Sequence, residues 1–332
     1  MQQHSDIAAF LALLSTLVGP GATLVDIGCN KGNVLFEMMT LWATKNASFL
    51  AADMHPSNAQ LVRDLLRPGV DCNRKDVAHS AEFRPLGGYA EHCKRATVIR
   101  ELLGDQPWTA EALALSNRPG EETLCAMPLG WEHAHLGGGA KMYGQQQPEA
   151  LLRQRGYASR NCERVSVTTM DAWLGPKLQH GAVVKVDAEG FDGPILLGAM
   201  QLFAARKIDA LIFECCHLWD RAVAAGRLPP NAFGAAPRSS IVWTNRSSSH
   251  IYSLAAAMEP MGYWLFALGP DPERHRQAHV ANYGHFYCAE YQRLSPSLQR
   301  GSEELVKYTR ARWGNFALVR ANLALPPSPW IG

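Results

Sequence analysis

The stretch "ATLVDIGCNKGN", residues 22–33, runs from apolar residues of strand length into one acid and two glycines four positions apart. The residues that follow, "NVLFEMMTLWAT" (33–44), carry apolar side chains at helical spacing. A turn from strand to helix that contains Gly28 and Gly32 lets backbone approach a ligand, since no β-carbon stands in the way. A dinucleotide fold shows G-x-G-x-x-G at this turn. Here the pattern is D-x-G-x-x-x-G, with Asp26 two residues ahead of Gly28. A carboxylate in that place repels a pyrophosphate and does not penalise a cationic cofactor.

Outward from this turn, strand-length and helical patterns alternate. "SFLAAD" (48–53) reads as a second strand and "SNAQLVRDLLR" (57–67) as a second helix. Residues 70–108 include a helical pattern, "AEHCKRATVIRELLG" (90–104), and "WTAEALAL" (108–115) reads as a third strand. "RPGEETLCAMP" (118–128) gives a turn and a short strand, and "AVVKVD" (182–187) and "ALIFEC" (210–215) give the fourth and fifth core strands. "YSLAAAMEPMGYWLFALG" (252–269) and "YGHFYCAE" (283–290) read as a last helix and two closing strands. Such alternation predicts a mostly parallel sheet with helices on both faces, and ligands at the carboxyl ends of its strands. Those ends carry "DIG", "AAD", "LSN", "KVDAEG" and "FECCH". The expected organisation is one domain over 1–292, with a Pro- and Ser-bearing insertion at 219–250 as a lid, and a C-terminal extension over 293–332.

Composition bounds the function. A formal net charge of +2 without a dense Lys/Arg run argues against a nucleic-acid surface. The 8 cysteines form no C-x-x-C pair, so a zinc or redox motif is not expected, and reduced thiols in the cytoplasm are. The N-terminal run "IAAFLALLSTLVG" (7–19) lacks a basic region before it and a small-residue cleavage site after it, and is too short to span a bilayer. It reads as an amphipathic or buried helix leading to the first strand.

Four ionisable residues, Lys185, Asp187, Glu189 and Asp192, crowd the exit of the fourth strand before an apolar helix begins. Charge rarely leaves a buried strand without purpose. Lys185 shares the face of Asp187 if alternation holds, so the two form an ion pair. Pro194 places the helix start there, with Asp192 as its cap. Asp53, at the end of the second strand and 21 residues past Gly32, can accept two hydrogen bonds from ribose hydroxyls, or else cap the following helix, which Ser57 or His55 could start instead.

With these segments in place, the chain resembles a class I S-adenosylmethionine-dependent methyltransferase, and more narrowly the FkbM family. The carriers are "DIGCNKG", "DMHPSN", "ALALSNRPGEETL", "VSVTTMDAWL", "KVDAEGFDGPILLGA" and "ALIFEC", in family order over roughly residues 22–216. The resemblance implies a Rossmann-like fold with a mostly parallel seven-stranded sheet, S-adenosylmethionine as cofactor, and methylation of a hydroxyl on a small molecule or glycan. It implies cofactor contacts at Asp26, Gly28, Asn30, Gly32, Asp53 and Asp187. Asp53, Met170 and Asp192 replace commoner Glu, Leu and Glu.

An alcohol acceptor must be aligned and must lose a proton, and an aligned base contributes about 10²–10⁴-fold. Asp187 and Glu189 are the candidates, although the same acids and Lys185 also fit a network that only orders the turn. His217 competes as base because imidazole titrates near neutrality. Lys185, Glu214 and Trp131 are expected at the substrate, with Trp131 stacking on it or merely packing. Ser116 and Asn117 are expected at the adenine, or are simply turn residues. Asp187, Glu189 and Glu214 have the oxygen donors a divalent cation takes, and His133 and His135 form an H-x-H without an evident third ligand; no metal is assigned. Two other functions fit parts of the pattern. A nicotinamide-dependent oxidoreductase lacks its third glycine, and a non-catalytic S-adenosylmethionine-binding module would need the glycine turn and Asp53 alone.

Overall fold

The computed structural model describes residues 5–73, 83, 88–125, 162–188, 190–216, 228–229, 231–234, 246–268, 291–294, 313–323 and 325. Helix α1 (Ser5–Leu17) precedes strand β1 (Thr23–Ile27), whose five residues are all buried. An unbroken buried strand is what a sheet covered on both faces requires. Helix α2 (Asn33–Trp42) follows the glycine turn, then strand β2 (Ser48–Asp53) and helix α3 (Pro56–Leu65). Pro56 opens α3 where no backbone donor is needed, and His55 is its cap, accepting the Ser57 N–H on Nδ1 at 3.3 Å. Helix α4 (Tyr89–Leu103) leads to strands β3 (Trp108–Ala112), β4 (Ala114–Leu115), β5 (Gly120–Cys125) and β6 (Cys162–Thr168). Helix α5 (Met170–Leu174) is capped by the Thr169 hydroxyl. Strand β7 (Ala182–Val186), helices α6 (Asp192–Leu197) and α7 (Met200–Ala204), strand β8 (Ile208–Cys216), helix α8 (Arg246–Met258) and strands β9 (Tyr263–Leu268), β10 (Tyr291–Leu294) and β11 (Trp313–Arg320) complete the described chain.

The main sheet has eight strands in the order β10-β9-β11-β8-β7-β1-β2-β3. Strands β8, β7, β1, β2 and β3 are mutually parallel, and β11 runs antiparallel between β8 and β9. Alternate residues of each strand feed opposite layers. Leu24, Phe49, Val183 and Ile212 pack with α1, α2, α3 and α4. Val25, Val184, Leu211 and Phe213 pack with α5, α6, α7 and α8. The fold is therefore Rossmann-like, a mostly parallel sheet with helices on both faces. The chain leaves β1 toward β2 on one face and β7 toward β8 on the other, so a crevice opens at the carboxyl ends of these two adjacent strands.

Three expectations change, and one lies beyond what the structure describes. The third strand divides at Leu113: β3 stays at the edge of the main sheet, while β4 joins β6 and β5 in a separate three-stranded sheet. The closing strand β11 is "WGNFALVR", inside the segment expected to be an extension, so a domain ending at 292 would lack a central strand. The "YGHFYCAE" strand and most of the 219–250 insertion fall outside the described residues. Cys72 and Cys93 form a disulfide with their Cα atoms 5.4 Å apart, within the normal span for such a bond, in place of reduced thiols. That removes the ground on which a cytoplasmic compartment was expected, since disulfides persist in oxidising ones. Among the described residues no helix is long and apolar enough to cross a membrane.

Candidate functional site

The β1 turn winds through three left-handed residues, Gly28 (φ 73), Asn30 (φ 46) and Gly32 (φ 84). Four of its amides are spent within the protein. Gly28 and Cys29 N–H donate to the Ala52 carbonyl at 2.8 and 3.3 Å, and Gly32 N–H donates to the Cys29 carbonyl at 2.6 Å. Asn30 N–H donates to Asp53 Oδ2 at 2.8 Å. The two glycines prove necessary for reasons other than ligand approach. A β-carbon on Gly28 would lie 1.9 Å from the Asp187 carbonyl oxygen, because the β1 and β7 turns cross in contact. One on Gly32 would press on the Phe36 ring and Val62 at 3.2 Å.

Asp26 lies fully buried one residue before this turn. Its Oδ2 accepts the Leu35 N–H of α2 at 2.9 Å, and its Oδ1 lies 3.2 Å from Lys185 Nζ. Lys185 is the register partner of Asp26 across β1 and β7 and is itself buried. Its ammonium also reaches Asp187 Oδ2 at 3.4 Å and the Gly28 carbonyl at 3.3 Å. The expected Lys185–Asp187 pair is present, with Asp26 as a second carboxylate. Burial alone would lower the lysine pKa, but the Asp187 and Asp26 carboxylates more than reverse this and hold it above the ordinary value. Being 3 % exposed, the Lys185 side chain has no surface to offer a substrate, which corrects that expectation; Asp187, at 29 %, does reach the crevice.

Asp192 does not cap α6; Phe191 holds that position without a side-chain bond, and Asp192 begins the helix. The Asp192 carboxylate, wholly buried, accepts the Ala188 N–H at 3.4 Å and the Glu214 N–H at 3.1 Å, tying the β7 turn to the end of β8. Burial, with Asp187 repulsion added, pushes its pKa up to about 8. Sequence reading saw this residue and gave it the wrong partner, because the Glu214 backbone is 22 positions away.

Asp53 takes three internal donors. Asn30 N–H binds Oδ2, while His55 N–H at 2.8 Å and Asn58 Nδ2 at 3.3 Å bind Oδ1. A carboxylate has about four acceptor positions, so these three donors leave at most one on Oδ2, where two ribose bonds were expected, and the side chain is buried. Burial raises its pKa against these hydrogen bonds. The neighbouring Cys29 thiol is raised too, by burial and then by the Asp53 and Asp26 charges, which keeps it an unreactive thiol. Ser116 and Asn117 lie at the end of β4, half-buried, with Ser116 Oγ 3.3 Å from Asn117 Oδ1. The Ser116 carbonyl lies 2.2 Å from where a Gly198 β-carbon would stand, so these two residues neighbour the end of α6. Glu214, half-buried, lies beside Asp192 two residues before the end of β8, which runs on to Cys216 where the strand was expected to end in Glu. Glu189, His217 and Trp131 lie outside the described residues, as do His133 and His135.

The structure thus gathers Asp26, Gly28, Asn30, Gly32, Asp53, Lys185, Asp187 and Glu214 at the carboxyl ends of β1, β2, β7 and β8. Among the described residues carboxylates outnumber ammonium groups there, and the N-terminus of α2 already has a carboxylate on it. No family model and no curated protein matches the chain. Among solved structures, it is similar to an S-adenosylmethionine-dependent methyltransferase from Geobacter sulfurreducens in complex with S-adenosyl-L-homocysteine, at 12% identity over 96% of this chain and 94% of that one, with a TM-score of 0.31. A second such enzyme complex, from Thiobacillus denitrificans, aligns at 12% identity over 93% and 90% of the chains with a TM-score of 0.30. The rRNA methyltransferase aviRa from Streptomyces viridochromogenes aligns at 14% identity over 64% and 81%, with a TM-score of 0.27. At these TM-scores the likenesses carry no argument for function.

Proposed function

We propose that the chain is a methyltransferase that takes S-adenosylmethionine as its cofactor and methylates a hydroxyl oxygen. The observation that carries this reading is the Asp26 carboxylate bound to the Leu35 N–H at the start of α2. Helix N-termini hold phosphates in dinucleotide folds; here a protein carboxylate fills that position, and the turn amides at 28, 29, 30 and 32 have internal acceptors. A diphosphate finds a repelling crevice, whereas a sulfonium and an α-amino group find an attractive one. That disfavours a nicotinamide cofactor and fits the sulfonium.

When bound, the cofactor supplies a methyl group on positively charged sulfur, open to in-line displacement. The chain's own residues do the rest. Asp53 offers its remaining Oδ2 position to a ribose hydroxyl. Asp187, fixed by Lys185 and exposed to the crevice, faces the acceptor and takes its proton. Asp192 holds the Asp187 turn and the Glu214 strand end at a fixed separation. The hydroxyl preference and the FkbM assignment rest on the "KVDAEGFDGPILLGA" and "DIGCNKG" resemblance. The test is transfer of isotopically labelled methyl from S-adenosylmethionine to a panel of sugars, polyketide-type alcohols and amines. Label in a hydroxyl acceptor supports the proposal. Label in amines alone overturns the oxygen preference, and cofactor binding with no transfer to any acceptor favours a non-catalytic binding module.

A further inference from the structure

We infer that His92 is a positioning residue beneath the glycine turn, and that the Cys72–Cys93 disulfide keeps it there, so that a dithiol reductant loosens the turn. His92 lies on α4, 61 positions from the residue it holds: its Nε2 is 2.8 Å from the Lys31 carbonyl oxygen, with the ring buried. A carbonyl only accepts, so Nε2 carries a proton and is the donor. Burial lowers the His92 pKa, the Lys31 carbonyl bond opposes this, and the Arg95 and Lys31 cations lower it further. The ring rests against Phe36 of α2 at 5.2 Å and against Phe83 at 5.9 Å.

The bond matters because of where Lys31 sits. It stands between Asn30 (φ 46) and Gly32 (φ 84), two left-handed residues, so its carbonyl orientation reports directly on the shape of the turn. Such a buried carbonyl needs a donor, and His92 provides one from a different element. The residue next to His92 is Cys93, bonded to Cys72 just beyond α3. The disulfide therefore pins the first turns of α4 to the chain that follows α3, and α3 in turn contributes Val62 to the packing under Gly32. Reduction is a two-electron exchange: the S–S bond breaks, Cys72 and Cys93 each gain an electron and a proton, and a dithiol reductant closes to its own disulfide.

The effect on the turn is independent of what binds there; the effect on affinity rests on the methyltransferase reading. Amide hydrogen exchange over residues 28–36 of the full chain decides the first. Exchange should quicken in the wild-type protein after dithiol treatment, in Cys93→Ser and in His92→Ala, while His92→Gln, whose amide N–H can reach the same carbonyl, keeps most of the protection. S-adenosylhomocysteine affinity should fall roughly two- to tenfold in the same samples, the worth of one net hydrogen bond. Unchanged exchange in folded, reduced wild-type protein overturns the disulfide's role, as does a thiol titration in denaturant that gives the same count with and without reductant. Unchanged exchange in His92→Ala overturns the role of His92; should that variant not fold, loss of protection in His92→Gln equal to the reduced protein's overturns it instead. If the wild type binds no S-adenosylhomocysteine, the cofactor reading fails while the exchange comparison still stands.

Discussion

Lys185 stands directly across from Asp26 in the β1–β7 pairing, with Nζ 3.2 Å from Oδ1 and both side chains buried. One ammonium thus serves two carboxylates, Asp26 behind it and Asp187 toward the crevice. Lys185→Met leaves Asp26 charged in the core without its cation and should cost about 3–5 kcal/mol of unfolding free energy, measured by urea denaturation. The double variant Asp26→Asn with Lys185→Met should recover most of that loss, since neither charge of the buried pair remains. A double variant as unstable as Lys185→Met alone would show that the cost lies in packing.

Asp187→Asn is expected to behave differently. Lys185 keeps Asp26, and Asp187 is 29 % exposed, so the melting temperature should move little. Methyl transfer should fall by about 10²–10⁴-fold with S-adenosylhomocysteine affinity nearly intact, because an amide cannot take a proton. Loss of stability with normal turnover would assign Asp187 to the turn's architecture alone.

Gly28→Ala and Gly69→Ala separate two causes of glycine dependence. Both residues are left-handed, at φ 73 and φ 69, but only at Gly28 would the new carbon strike backbone, 1.9 Å from the Asp187 carbonyl oxygen; at Gly69 nothing lies within 4 Å. Gly69→Ala should cost about 1–2 kcal/mol, the penalty of the left-handed conformation. Gly28→Ala should cost several times more or prevent folding. Similar chemical-denaturation midpoints for the two would mean that the β1 and β7 turns separate easily.

The Asp192 pKa of about 8 in the folded chain, raised by burial and then by Asp187, fixes the sign of a pH effect. A carboxyl with a raised folded pKa binds more protons folded than unfolded between about pH 4 and 8, so its contribution to stability falls as pH rises through that window. Asp192→Asn should flatten the wild-type decline by up to one proton's worth of slope. Parallel stability–pH curves for the two proteins would contradict a protonated Asp192.

Much of this arrangement was legible in the sequence because it is local. The glycine turn, the Asp187–Lys185 spacing of two along a strand and the acid ending β2 are all read within a few residues. What was missed is long-range. Nothing near Gly28 signals that Asp187 crosses it, and nothing near Asp192 signals the Glu214 amide. His92 gave no motif, and Cys72 and Cys93 pair across a helix start and not in a short repeat. Strand β11 does carry a local signal, the continuous apolar run "FALV" at 316–319, inside the segment expected to be an extension.

The central claim is that this crevice accepts a cationic sulfonium cofactor family and refuses a dinucleotide. Calorimetric titration of the wild-type protein, in parallel, with S-adenosylhomocysteine and with NAD tests it most directly. One-to-one binding of S-adenosylhomocysteine is expected, weakened in Asp53→Ala by about 1.5–3 kcal/mol as a charged acceptor is lost, with no heat from NAD. Saturable NAD binding without S-adenosylhomocysteine binding would contradict it.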